Sequence, residues 1–328
     1  HGDVILSNRE SLRPVILITV YDRYNHIKQC IESIECADGV ESFDIIIGSD
    51  NAFSVDHQES INQVKSYLRK KISNNRFNNF TVIDHKHNVG ESKNLKTLHK
   101  EAQNSGFKTF IHMEDDVVVG RYFLEFMEDA LNIYKDETDV VAVRAYRDPS
   151  EEKYRQQTFL SNRMCAYGYA SWYKKWERVC NLCDSRNYAS IVLQDFKLFR
   201  SIVRYAANGK SYPFLAEGLY SASDIEIGLM MEVENLKILC SPESLTANRG
   251  LDGSGLRSGV DESLQRMEPS NKKIKVTKPK DIEYIPVQKS SRPVEFKLYM
   301  ANWLSYFLYR YIPFGYSLLN WLRSVYKS

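Results

Sequence analysis

Glu114, Asp115 and Asp116 follow one another directly at the end of the apolar run Thr109-Phe110-Ile111-His112-Met113. Three adjacent carboxylates at the end of a buried strand are costly unless a cation compensates them. A hard divalent ion, Mg2+ or Mn2+, takes oxygen ligands and shares them with a substrate phosphate. The plainer alternative is a solvated acidic turn ahead of a helix near Tyr122, since acids also suit helix N-termini. No GxxxxGK[ST] loop is present and no GxGxxG follows the first apolar run, so a phosphate is not cradled in either of those ways. His85, His87 and His99 lie on a Lys-rich connection and are read as non-ligands. The six cysteines are scattered, and the lone Cys180-Asn181-Leu182-Cys183 pair has no second half, so idle thiols in a reducing compartment are expected.

The elements that must position the acidic residues alternate regularly. Val15 to Val20 is a continuous apolar run, the pattern of a strand buried on both faces. Asn25 is expected to cap a helix carrying Ile27, Cys30, Ile31 and Ile34 at i, i+3, i+4, i+7. Strands are predicted at Phe43 to Ile47, Phe80 to Ile83 and Thr109 to Met113. The intervening helices are marked by Ile61, Val64, Leu68 and Ile72, then by Leu95, Leu98 and Ala102. This order predicts an α/β fold with a mostly parallel sheet flanked by helices, and ligands of such sheets sit at the strands' carboxyl ends.

The 328 residues suffice for one large domain or two halves sharing a core. With 44 Lys+Arg against 42 Asp+Glu, nothing global points to nucleic acid. No apolar run is long enough to span a bilayer. Four segments are expected: a ligand-binding half over 13–147, a second half rich in Tyr, Trp and Gly over 148–267, a solvated Lys- and Pro-rich linker over 268–294, and an aromatic-rich amphipathic tail over 295–328.

Several blocks carry a resemblance. Arg13 to Arg23, Asp44 to Asn51, and His87-Asn88-Val89-Gly90-Glu91-Ser92-Lys93-Asn94 resemble the opening of GT-A glycosyltransferases of the large inverting family 2 type. Glu114-Asp115-Asp116 stands where that family has its DxD motif. Gly168 to Trp176 and Pro242 to Gly255 are similar to blocks of bacterial surface-polysaccharide transferases and, more distantly, of N-acetylglucosaminyltransferase I. The resemblance runs over roughly residues 13 to 260. It implies a Rossmann-like GT-A sheet and transfer of a sugar from a nucleotide-diphosphate donor, a UDP-sugar favoured, to a glycan hydroxyl with inversion.

The resemblance also implies roles for individual residues. Tyr21, Asp22, Arg23, Asp50, Lys93, Glu114 and Asp115 would bind the nucleotide sugar, and Asp116 would touch the metal, Mn2+ or Mg2+. Arg257, where many relatives have a metal-binding His, would hold the diphosphate by charged hydrogen bonds. Tyr169 and Trp172 would line the acceptor site. Asp224 is the expected general base, with Glu226 as runner-up; Asp224 serving only as a helix cap is the structural alternative. Two other functions compete. A sugar-nucleotide pyrophosphorylase would need a Gly-rich loop after the first strand, where this chain reads Tyr-Asp-Arg-Tyr-Asn. A non-catalytic sugar-nucleotide-binding protein would lack the base.

In the tail, Leu298, Ala301, Leu304, Leu308, Tyr311 and Ile312 follow helical spacing, and Pro313 breaks it. The only charges after Glu295 are Lys297, Arg310, Arg323 and Lys327. Cationic and aromatic residues without acids suit the headgroup layer of an anionic membrane. The expectation is a cytoplasmic protein, peripheral at the inner membrane face and meeting a lipid-linked acceptor. A hairpin packed on the catalytic half, or on a second subunit in a homodimer, is the alternative. The chain opens on His1-Gly2 rather than Met, so an anchor removed upstream would instead allow a Golgi lumen location.

Overall fold

The computed structural model describes residues 13–147, 156–195, 223–254 and 260–285, together with 299, 300, 303, 304, 307 and 311 of the tail. The first half alternates as expected. Strand β1 (Val15–Val20) leads to helix α1 (Tyr24–Glu35), β2 (Asp44–Ser49), α2 (Gln58–Ser73), β3 (Asn79–Asp84), α3 (Glu91–Asn104) and β4 (Thr109–Glu114). These four strands are parallel, in the order β3-β2-β1-β4. Helix α1 buries Ile27, Cys30, Ile31 and Ile34, the side chains its spacing selects. Each such apolar side chain contributes roughly 2 kcal/mol. The helix starts one residue earlier than its expected cap: Arg23, not Asn25, is the flanking residue, and no side chain caps it. On α2 the expected Ile72 is exposed, while Lys65 is buried and pairs with Asp84 at 2.5 Å. On α3 the buried stripe includes Asn94.

The second half joins the same sheet. After β5 (Val117–Val119), α4 (Phe123–Ile133), β6 (Val140–Arg144) and β7 (Phe159–Ser161), strand β8 (Tyr169–Trp172) pairs antiparallel with both β4 and β6. Helices α5 (Tyr173–Ser185), α6 (Tyr188–Gln194) and α7 (Ser223–Val233) then lead to β9 (Lys237–Cys240) and β10 (Thr246–Asn248). The last pieces are α8 (Glu262–Gln265) and β11 (Glu283–Tyr284). The nine-stranded sheet runs β11-β7-β9-β6-β8-β4-β1-β2-β3, mostly parallel and flanked by helices, the Rossmann-like α/β architecture predicted from the sequence. The sequence boundary near residue 147 therefore falls inside one continuous sheet. Apolar cores containing residues of both halves lie on its two faces.

Residues 268–285 do not form the expected solvated linker. The Ser270 N–H donates to the Ser244 carbonyl, Thr277 N–H to Thr158 Oγ1 and Ile285 N–H to the Leu160 carbonyl, at 2.7 to 2.9 Å. Val276 and Ile285 are buried, and β11 extends the sheet edge beside β7. Gly120 leaves the space this strap needs, since a Cβ there would come within 2.1 Å of the Ser270 carbonyl oxygen.

Candidate active site at the carboxyl ends of the strands

Register gathers the chemistry. Thr19 is level with Glu114, Val20 with Ser49, and Ser49 with Asp84. Residues just past these pairs (Tyr21 to Arg23, Asp50, His85, and Asp115 with Asp116) therefore leave the sheet along one edge of its carboxyl side.

The acidic pair and Arg23 form its centre. The Arg23 guanidinium donates through Nε and Nη2 to the two carboxylate oxygens of Asp115, the Nε bond being 3.3 Å. Its Nη1 lies 2.8 Å from Asp116 Oδ2. Burial disfavours the charged guanidinium, but attraction by Asp115 and Asp116 outweighs it and holds Arg23 above the usual arginine value. Burial pushes the Asp115 carboxyl up to about 7 against the pull of Arg23. Beneath the pair, Cys30 is fully buried, and burial followed by the two carboxylates raises its thiol, so it stays neutral.

The closing segment is pinned to the same place. Strand β10 pairs antiparallel with β5, directly after the acidic residues, with Asn248 opposite Val117. The Arg249 N–H then donates to the Asp116 carbonyl at 2.7 Å. Gly250 touches the site itself: a Cβ there would lie 2.0 Å from Asp116 Oδ2 and 3.1 Å from Arg23 Nη1. Asp252 reaches back to α1, 3.2 Å from His26 Nε2. Arg249 and Gly250 belong to a block noted in the sequence, but their contact with the acidic pair depends on strand pairing that spacing does not reveal.

A hard cation fits this donor set in one respect. Asp116 Oδ1 is buried and has no hydrogen-bond partner, whereas both oxygens of Asp115 are taken by Arg23. An unpartnered buried carboxylate oxygen is costly as it stands and is the ligand type Mg2+ or Mn2+ prefers. Among the described residues no group of three or more His, Cys, Asp or Glu could hold an ion. Protein ligands at Asp116 would thus need oxygens from a substrate to complete a shell.

The other expected site residues divide. Asp50 is buried, and its carboxylate accepts from the Asn51, Val89 and Gly90 N–H groups at 2.8 to 2.9 Å and from Asn88 Nδ2 at 3.3 Å. It therefore holds the turn before α3, and its oxygens have little capacity left for a nucleobase. Tyr21 stands at the end of β1, its hydroxyl 2.6 Å from His57 Nδ1 and accepting from the Phe53 N–H at 3.0 Å. Lys93 is exposed on the first turn of α3. Asp22 is half-buried beside Arg23, and Glu114 ends β4, also half-buried. Asn94, not singled out as a ligand, donates to the Gly48 carbonyl at 2.8 Å and pairs with His85 at 3.0 Å, bracing the end of β2. Gly48 must lack a Cβ, which would overlap Asn94 Oδ1 at 1.9 Å.

Tyr169 and Trp172 do not line an acceptor surface. Both are core residues of β8: Tyr169 packs against Phe110, His112 and Trp176. The Trp172 indole donates to the Leu131 carbonyl at 3.1 Å and is covered by Lys175, whose Nζ lies 3.6 Å from the ring centroid. The resemblance places the block at an acceptor site, but the antiparallel pairing of β8 in mid-sheet buries it. Arg257 lies outside the described residues. Asp224 and Glu226 fall in α7, and their side chains also lie outside the described residues.

A comparison with protein-family models finds no match, and a comparison with curated proteins finds none either. Among solved structures, the chain is similar to the mannosyltransferase PcManGT from Pyrobaculum calidifontis, in complex with GDP-Man and Mn2+. That likeness covers 51% of this chain and 46% of the other, at 14% identity and a TM-score of 0.36. S. aureus TarS 1-349 is similar over 73% of this chain and 61% of its own, at 13% identity and a TM-score of 0.42. Its complex with UDP matches over 70% and 57%, at 13% identity and a TM-score of 0.40. The chain thus spans between about half and three fifths of those proteins' lengths. At this level of likeness neither substrate nor mechanism transfers.

Proposed function

We propose that the protein is an inverting glycosyltransferase moving a sugar from a nucleotide-diphosphate donor, a UDP-sugar favoured, to a hydroxyl of a glycan acceptor. The observation that carries this reading is the Arg23–Asp115–Asp116 cluster at the strands' carboxyl ends, closed over by Gly250. Cation and carboxylates lie within one contact of each other there, the combination that a diphosphate and its counter-ion require. The missing Gly-rich loop after β1 disfavours the pyrophosphorylase, and Asp224 disfavours a purely binding role.

Asp116, with its free Oδ1, would hold Mn2+ or Mg2+. That ion would supply charge neutralisation at the leaving diphosphate. The chain's own residues do the rest. Tyr21 and its neighbours position the nucleoside, and Asp50 keeps the turn at Asn88 to Gly90 in place. Arg23 and Arg257 are the cations for the diphosphate. Asp224 accepts the proton of the acceptor hydroxyl as it attacks the anomeric carbon from the side opposite the leaving group. Screening nucleotide sugars for thermal stabilisation tests the donor class. One family of donors should raise Tm by several degrees, more with Mn2+ than without, and no response to any nucleotide sugar would overturn the reading.

The tail supports a membrane-proximal acceptor. Tyr299 donates its hydroxyl to the Leu193 carbonyl at 2.8 Å, fixing the start of the tail against α6. Beyond it Met300, Trp303, Leu304, Phe307 and Tyr311 stand exposed at i, i+3, i+4, i+7 and i+11, one face of a helix. Trp303 stacks on Phe307, and Phe307 packs on Tyr311, with centroids 5.5 and 5.3 Å apart. Among the described residues no helix is long and apolar enough to cross a membrane. An aromatic ridge on a segment whose only charges are cationic fits an anionic lipid surface, where a lipid-linked acceptor would be met. Truncation after Val294 should abolish flotation with anionic liposomes while sparing transfer to a short soluble acceptor. Flotation of the truncated protein, or none of the full chain, would make the ridge a protein interface instead.

A further inference from the structure

Arg23 already supplies a cation to the acidic pair that a divalent ion would also use. Its guanidinium spans both carboxylates of the acidic pair, contacting Asp115 through two nitrogens and Asp116 through the third. The two carboxylates are nearly buried, at 6% and 7% side-chain exposure, whereas the Arg23 side chain is 21% exposed. Gly250 packs against the Arg23–Asp116 contact itself, where a Cβ would lie 2.0 Å from Asp116 Oδ2 and 3.1 Å from Arg23 Nη1. Asp116 Oδ1 is left buried and unpartnered.

We propose that Arg23 is a built-in counter-cation that keeps divalent metal off Asp116 until a donor diphosphate arrives, and then moves from the carboxylates to that diphosphate. This rests on the donor-site reading above and assigns Arg23 a positioning role within it.

Charge dictates the order. With both carboxylates ionised, the guanidinium and the two carboxylates together carry one net negative charge, and a second cation at Asp116 meets a positive group already in contact with it. A divalent ion alone then gains one carboxylate oxygen at the cost of repulsion from the guanidinium. Because the described residues offer no group of three ligands, nothing else among them repays that cost. A diphosphate changes both terms. It brings oxygens for the ion, and it offers the guanidinium fork a partner whose geometry matches that of a carboxylate. Arg23 can make this exchange without disturbing the sheet. It lies in the connection between β1 and α1, as the residue flanking the helix, with no side-chain cap bond to break. Ion and donor therefore bind together and are released together.

The test measures Mn2+ binding by electron paramagnetic resonance, with and without UDP, in wild type, Arg23→Gln and Arg23→Lys. Wild type should bind Mn2+ weakly alone. Arg23→Gln should bind Mn2+ alone at least about tenfold more tightly, because two carboxylates then face the ion without a competing cation. Its Tm should rise on adding Mn2+ far more than that of wild type. UDP should increase Mn2+ affinity less in Arg23→Gln than in wild type. Arg23→Lys keeps one charge but cannot bridge both carboxylates, so it should fall between the two. Mn2+ affinity without UDP that is equal in wild type and both variants would overturn the proposal. If Arg23→Gln does not fold, equal affinity of wild type and Arg23→Lys does the same. The arm without UDP contains no donor, so its outcome stands whether or not the protein transfers sugar, and absence of transfer would count only against the donor-site reading.

Discussion

Asp116→Asn should lower sugar transfer by about 10³-fold or more while the protein stays folded. The substitution removes the charge that faces both Arg23 and the free acceptor position at Oδ1, yet leaves the shape of the side chain. Arg23 keeps its two bonds to Asp115, so the cluster retains an ion pair and the fold its packing. The backbone bond from Arg249 to the Asp116 carbonyl is unaffected, so the closing segment remains docked. Loss of activity with an unchanged far-ultraviolet circular dichroism spectrum and a Tm within a few degrees is the expected result. Full activity of the variant, or full wild-type activity in EDTA, would remove Asp116 from the donor site.

Asp224→Asn should lower turnover by about 10²-fold or more with donor binding preserved, since the amide keeps the shape but cannot accept a proton. Asp224 sits in the first turn of α7, whose Leu229, Met230 and Met231 are buried in the core and anchor the helix. Turnover and donor affinity measured separately for Asp224→Asn and Glu226→Gln decide between them. A large loss in Glu226→Gln alone would assign the base to Glu226. A product that retains the donor's anomeric configuration would exclude the single displacement altogether.

The first four strands of the sheet were legible because their signals are local. Val15 to Val20 is apolar at every position but Thr19, and α1 carries its buried face at helical spacing, so both elements were found almost to the residue. Site residues at the strand ends followed from the parallel order alone. Contacts made over long sequence distances were not legible. Arg23 was recognisable as a candidate, but not its engagement with carboxylates 92 and 93 positions away. Asp50 looked free to meet a nucleobase; the turn that saturates it is closed by Gly90 at a φ of 77°, a conformation residue order does not announce. The strap over 268–285 was misjudged because backbone N–H groups hold it, while its Lys- and Pro-rich side chains describe only its solvent side. Tyr169 and Trp172 were placed at an acceptor site by resemblance alone, and only the insertion of β8 between β4 and β6 shows them to be core.

The central claim, nucleotide-sugar chemistry at the Arg23–Asp115–Asp116 cluster, is tested most directly by release of nucleoside diphosphate. The full chain is incubated with Mn2+, a panel of UDP- and GDP-sugars and glycan acceptors, and the freed diphosphate is measured for wild type and Asp116→Asn. The account predicts release from at least one donor by wild type and about 10³-fold less by the variant. No release from any donor, or equal release by the two proteins, would contradict it.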